Sequence, residues 1–146
     1  MKRIVVKLGT SILTGRGAVL AALAGEVCAL KAKGSEFILV TSGAIGAGMK
    51  DLGWSKRPKD IKKKQAAAAV GQVSLMQTYQ KIFKRHGVQV AQILLTRSDF
   101  DDRKRYLNAQ STFQALLGLG VVPIVNENDT VAVEEIQFGE DRKSVV

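Results

Sequence analysis

The sequence predicts an α/β protein built on an open, mostly parallel sheet with helices on both faces. Three observations carry this expectation. Four short runs rich in β-branched and other apolar residues, 3–8, 36–41, 88–95 and 121–125, have the length and composition of buried strands. The segments between them, 18–33, 60–86 and 102–117, place apolar residues at helical spacing. Each strand run also gives way to glycine, hydroxyl, amide or charged residues, the composition of turns that join strands to helices in such folds.

Taken in order, residues 3–8 end at Gly9-Thr10-Ser11, and the helical pattern from Ala18 to Lys33 stops at Gly34, a good C-terminal helix signal. A second strand reached through a helix is expected to lie parallel to the first. It ends at Ser42-Gly43-Ala44-Ile45-Gly46-Ala47-Gly48, which reads as a glycine-rich turn. Lys56-Arg57-Pro58-Lys59 is a polar loop before the long helix 60–86. Four consecutive alanines and Gly71 remove bulk from that helix, so another backbone can come close. The strand 88–95, the helix 102–117 and the strand 121–125 come next, leading into Asn126-Glu127-Asn128-Asp129. Val131 to Phe138 alternates and reads as the start of a hairpin or an edge ribbon. Without an internal repeat or a linker, the 146 residues are expected to form a single domain. At that size a domain buries roughly 68–70% of the surface its unfolded chain exposes.

Composition narrows the partners. The formal charge of +9 could draw nucleic acid, but the excess sits in 56–64, 81–85 and 97–105, at the ends or on the polar faces of helical segments. No zinc-finger or basic-zipper spacing occurs there. Solvated helix faces are expected, and no nucleic acid. Lys7 interrupts the first apolar run, so no signal peptide is read, and no run approaches the roughly 18 apolar residues of a membrane span. Cys28, alone and within a helical apolar pattern, is expected in the core of a protein of a reducing, cytoplasmic compartment. His86, the one histidine, has no cysteine or carboxylate at metal-ligand spacing, and Ser42 lacks the G-x-S-x-G setting of a hydrolase nucleophile.

Ligands of open parallel sheets bind beyond the carboxyl ends of the strands. Here those ends are Lys7-Leu8-Gly9-Thr10-Ser11, Thr41-Ser42-Gly43-Ala44, Thr96-Arg97-Ser98-Asp99 and Asn126-Glu127-Asn128-Asp129. Gly9, Gly43 and Gly46 could expose backbone N–H groups to an anion, or serve only as tight-turn residues. Lys7 shares a strand face with Val5; it either reaches a ligand from the strand's end or is an ordinary exposed charge. Asn126 and Asp129 are ligand candidates or turn formers. Neither glycine turn matches a Walker or dinucleotide-binding pattern.

Val6-Lys7-Leu8-Gly9-Thr10-Ser11, Val40-Thr41-Ser42-Gly43-Ala44-Ile45, Lys64-Gln65-Ala66 through Ala69-Val70-Gly71-Gln72, Leu94-Leu95-Thr96-Arg97, Arg105-Tyr106-Leu107-Asn108-Ala109 and Pro123-Ile124-Val125-Asn126-Glu127-Asn128-Asp129 together resemble the glutamate 5-kinases, a group within the amino-acid kinase fold. The resemblance implies phosphoryl transfer from ATP, with Mg2+, to the side-chain carboxylate of L-glutamate on the way to proline. It implies that Lys7 is catalytic and contacts the transferring phosphate beside Gly9 and Thr10. Ser42, Gly43, Asn126 and Asp129 would bind glutamate. Asp141 would be a further glutamate-binding residue, standing at the position of a family asparagine that Phe138-Gly139-Glu140-Asp141-Arg142 lacks or at that of the aspartate after it.

Members of that group continue into a nucleotide-binding half, so the chain is expected to stop before most of the ATP site and to turn over poorly alone. Homo-oligomer formation and proline inhibition are left open. A non-catalytic glutamate-binding or subunit-association remnant is an alternative, as is a related kinase acting on aspartate, N-acetylglutamate or carbamate.

Overall fold

Four strands, β1 (Arg3–Lys7), β2 (Glu36–Val40), β3 (Val90–Leu95) and β4 (Val122–Glu127), form one sheet in a computed structural model that describes residues 2–10 and 17–132. The order is β1-β2-β4-β3 and every pairing is parallel. The last strand inserts between β2 and β3, so β1 and β3 are the edges. Lys7, Val40, Val125 and Ile93 occupy one row across the sheet. The strand ends are therefore nearly level, and the residues just past them share one rim.

The helices are α1 (Ala18–Ala32), α2 (Ala44–Asp51), α3 (Ile61–Lys84), α4 (Ser98–Asp101) and α5 (Arg103–Gly118). Asp60 caps α3 by accepting the Lys62 N–H at 3.3 Å, and Asp102 caps α5 by accepting the Arg105 N–H at 2.8 Å. Past the end of α1, Gly34 takes φ +90°, a conformation that favours glycine. The expected strands and long helices agree with these bounds to within a few residues. Of the alternating tail only Val131 and Ala132 are described, in a turn at 128–132; residues 133–138 lie outside the described residues, as do Ser11 and Asp141.

One expectation fails instructively. The stretch after β2 is not a glycine turn up to Gly48: only Gly43 turns, and 44–51 is a helix. Two glycines in an eight-residue helix cost roughly 1 kcal/mol each relative to alanine, so local preference opposes it. Packing decides. A Cβ on Gly71 would collide with the Ala44 carbonyl and the Gly48 nitrogen, and a Cβ on Gly48 would collide with the Ala67 carbonyl and the Gly71 nitrogen. The bare segment of α3 thus has a definite partner, α2, lying backbone to backbone against it.

One sheet face is fully dressed. Leu20, Ala24 and Val27 of α1 and Leu75, Tyr79 and Phe83 of α3 close over Phe37, Leu39, Val122 and Ile124. Cys28 packs partly buried against this core, and burial pushes its thiol pKa up. The opposite face carries α5, which buries only Leu117 of its own residues, and leaves Val5 62% exposed. Among the described residues no helix is long and apolar enough to cross a membrane. The charges are solvated as expected at Lys56, Arg57, Lys59, Lys62 and Lys63, but Lys64 departs from that pattern at 7% exposure. Its place three and four residues before Ala67 and Ala68 puts it on the buried face of α3.

The two kinds of glycine in α2 and α3 should respond oppositely to alanine. Gly71→Ala must push α2 off α3 and is expected to lower stability by about 3 kcal/mol, the upper end of overpacking costs. Gly46, exposed and with open space around it, should gain about 0.5–1 kcal/mol as Gly46→Ala. Urea unfolding of the two variants checks both signs.

Candidate active site at the carboxyl edge of the sheet

The row beyond the strand ends is held by the ladder itself. The Leu8 N–H donates to the Val40 carbonyl at 2.7 Å, the Thr41 N–H to Val125 at 2.8 Å and the Asn128 N–H to Leu95 at 2.8 Å. From that row rise the four loops in which the sequence placed its candidates.

Ser42 joins two of them. Its hydroxyl donates to the Leu8 carbonyl at 3.3 Å and lies 3.2 Å from the Thr10 hydroxyl. With the Ser42 hydrogen committed to Leu8, Thr10 is the donor in that second bond. The turn after β1 and the loop after β2 are thereby one unit. Gly43 comes next at φ 97° and opens α2, whose first-turn N–H groups have no partner within the helix. They add a partial positive charge beside Ser42. Gly46 is not part of the turn; it sits exposed inside α2, which corrects its reading as a loop glycine. Gly9 is exposed, has no positive φ and would meet nothing with a Cβ, so no close approach in this structure demands glycine there.

Lys7 ends β1 on the face it shares with Arg3 and Val5, exposed, and its ammonium makes no ion pair or hydrogen bond among the described residues. Arg3, by contrast, pairs with Glu36 at 2.8 Å. Asn126 projects to the other face, as the register with Leu94 and the pairing of Leu39 with Ile124 require. It is 8% exposed; its Oδ1 accepts the Glu127 N–H at 2.9 Å, while its buried Nδ2 has no acceptor among the described residues. A buried amide donor left unpaired is costly unless a ligand or water meets it. Asp129 sits half-buried in a turn where Asn128 accepts the Thr130 hydroxyl at 2.6 Å and, through its carbonyl, the Val131 and Ala132 N–H groups.

The end of β3 contributes a cluster that the candidate residues did not include. The Asp99 carboxylate accepts the Thr96 N–H at 2.6 Å and the Thr96 hydroxyl at 2.8 Å, and pairs with Arg105 at 2.8 Å. These partners, the Thr96 N–H first, hold its carboxyl below the ordinary range. The signal was present as Thr96 with an acid three residues later, the spacing of a helix start. A cavity of about 630 Å3 lies between this cluster and the end of β4, lined by Thr96, Arg97, Arg105 and Asn128 among others. Among the described residues no group of three or more His, Cys, Asp or Glu side chains could hold a metal.

The carboxyl rim of this parallel sheet gathers a lysine, paired hydroxyls, a helix N-terminus and an open amide, groups whose chemistry suits anions. Residues 2–145 match the model of the Amino acid kinase family, and the chain belongs to that family. Over 145 residues it is 57% identical to the glutamate 5-kinases of Ralstonia nicotianae and of an Azoarcus species, and 55% identical to that of Burkholderia cenocepacia. Each match covers 96% of this chain and 39% of the relative, so the chain spans well under half the length of these curated proteins.

The cluster at the end of β3 should titrate in a defined way. The Asp99 pKa is depressed in the folded state, so its ties stabilise the fold above the unfolded pKa of about 3.9 and are lost as pH falls through the lower, folded value. Arg105→Ala should leave the carboxyl below the ordinary range, because the Thr96 N–H remains. NMR titration of the Asp99 carboxyl carbon reads this directly.

Proposed function

We propose that this chain forms the amino-acid-binding part of a glutamate 5-kinase, which transfers a phosphoryl group from ATP to the γ-carboxylate of L-glutamate. The observation that carries the reading is the unsatisfied Asn126 amide, buried at the same rim as the Ser42–Thr10 hydroxyl pair and the start of α2. The Asn126 amide and the first-turn N–H groups of α2 are open donors, and donors suit carboxylates, while the two hydroxyls, Thr10 donating to Ser42 and Ser42 to Leu8, tie together the loops that carry them.

The chemistry asks little else of the protein. A glutamate side chain, with an ordinary pKa near 4.3, is already ionised at neutral pH, so its oxygen attacks without a general base. A bond forms from that oxygen to the γ-phosphorus while the bond to the β-phosphate oxygen breaks, giving an acyl phosphate and ADP. Two anions must be held in line and their repulsion offset. Lys7, unpaired among the described residues, would meet the transferring phosphate, with the Gly9 and Thr10 backbone beside it. Ser42, Gly43 and Asn126 would hold the carboxylates of glutamate, and Asp129 its ammonium. Asp141, outside the described residues, is proposed to complete this set. Magnesium would arrive on the nucleotide and neutralise phosphate charge.

A homo-oligomer is proposed with this reading, because β1 and β3 each have one edge unpaired among the described residues. A cytoplasmic location is proposed as well, without nucleic-acid or membrane partners. Since the matched relatives are more than twice as long, binding is the primary test and turnover by the chain alone is expected to be low.

L-Glutamate should release heat on titration into the chain, and aspartate, N-acetylglutamate or carbamate at equal concentration should not displace it. Asn126→Ala should weaken that binding roughly 10- to 100-fold, the worth of a hydrogen bond to a charged group. Lys7→Ala should leave glutamate affinity nearly intact and abolish any ATP-dependent hydroxamate formed when hydroxylamine traps the acyl phosphate. Absence of glutamate heat in the unmodified chain would sink the proposal.

A further inference from the structure

We infer that Tyr79 is a positioning residue for the ligand loop 41–43, acting through Thr41; the inference rests on the reading of that loop as part of the glutamate site. Tyr79 lies in the middle of α3, wholly buried in the main core. Its hydroxyl donates to Thr41 Oγ1 at 2.8 Å. Burial pushes the phenol pKa up, so the group is a neutral donor at physiological pH. Core filling alone does not require this oxygen. Phe83, one turn further along the same helix, is equally buried without one.

Thr41 is the first residue past β2 and is 5% exposed. Its N–H is tied to Val125, its Oγ1 receives the Tyr79 hydroxyl, and its own hydroxyl is oriented toward the Ser42 carbonyl at 3.4 Å. Ser42 next meets Leu8 and Thr10, and Gly43 turns the chain into α2. Between the end of the sheet and the start of the helix there are only three residues. Tyr79 supplies the side-chain tie that fixes the first of them to the core helix. Removing the phenol oxygen leaves Thr41 Oγ1 without its donor in a place closed to water and releases the torsion of its hydroxyl. The geometry presented by Ser42 and Gly43 then loosens, although the loop itself is unchanged in sequence.

The test uses the 146-residue chain with Tyr79→Phe, read by amide hydrogen exchange at Thr41 and Leu39 and by calorimetry with L-glutamate. Exchange at Thr41 should quicken relative to Leu39 by roughly 2- to 10-fold, and glutamate affinity should fall by a similar factor, the worth of one neutral hydrogen bond. Thr41→Val should reproduce both changes, while Thr41→Ser, which keeps the hydroxyl, should stay within about twofold of the unmodified chain. Parallel quickening at Thr41 and Leu39 would mean that Tyr79 only fills the core, and would overturn the inference. So would a loosened Thr41 with unchanged glutamate affinity. If the unmodified chain takes up no glutamate, the function proposed above fails, and the ratio of the two exchange rates alone decides whether Tyr79 positions the loop.

Discussion

The rest of the structure depends on the contact between two backbones, α2 against α3 at Gly48 and Gly71. Neither position has room for a methyl group, because each faces the other helix's peptide atoms. That contact fixes where α2 lies, and α2 begins at Gly43, directly after the Ser42 hydroxyl that bridges to Leu8 and Thr10. The position of the candidate site is therefore set from behind, by helix packing, before any ligand contributes. Close packing of small residues is a rigid way to do this, since a backbone cannot change rotamer to relieve a misfit.

The sheet divides the work between its faces. One face, under α1 and α3, holds the continuous core and also reaches the rim through Thr41 and Asn126, both buried. The other face, under α5, is thinly covered and presents Lys7 and the ion-paired charges of Arg3 and Glu36. Groups that must be oriented in advance, an amide and a hydroxyl, lie on the dry face, where an unmet hydrogen bond is costly. The lysine charge lies on the wet face, where it keeps its hydration. Under the function proposed above, this separation would place the groups that recognise one anion apart from the charge that offsets the other.

Much of this was legible in the residues. The apolar runs marked all four strands, and the helical spacing with Gly34 marked α1 and its end, because those patterns report burial directly. The alanine run with Gly71 announced a close approach. The rim residues stand just past the carboxyl end of each strand run, the place where parallel sheets take their ligands. The features that escaped the sequence have physical causes. Glycines at 46 and 48 hid α2, since their local cost is offset only by a helix further along the chain. The burial of Lys64 agrees with its spacing to Ala67 and Ala68 but was obscured by the lysines before it. The ties of Asp99 to Thr96 and Arg105 join a turn to the next helix, and only the capping spacing hinted at them.

By itself the sequence determined the fold class, the order of the strands and long helices, and the family, because each of these is written in local pattern or motif. The tertiary structure alone decided that β4 enters between β2 and β3, that α2 is a helix, that Thr10 meets Ser42, and that Tyr79 holds Thr41. Each of these is a contact between residues far apart in the chain or a helix stabilised by one distant partner. Such contacts arise only when the whole chain packs, and no window of sequence short enough to show a pattern contains both ends of them.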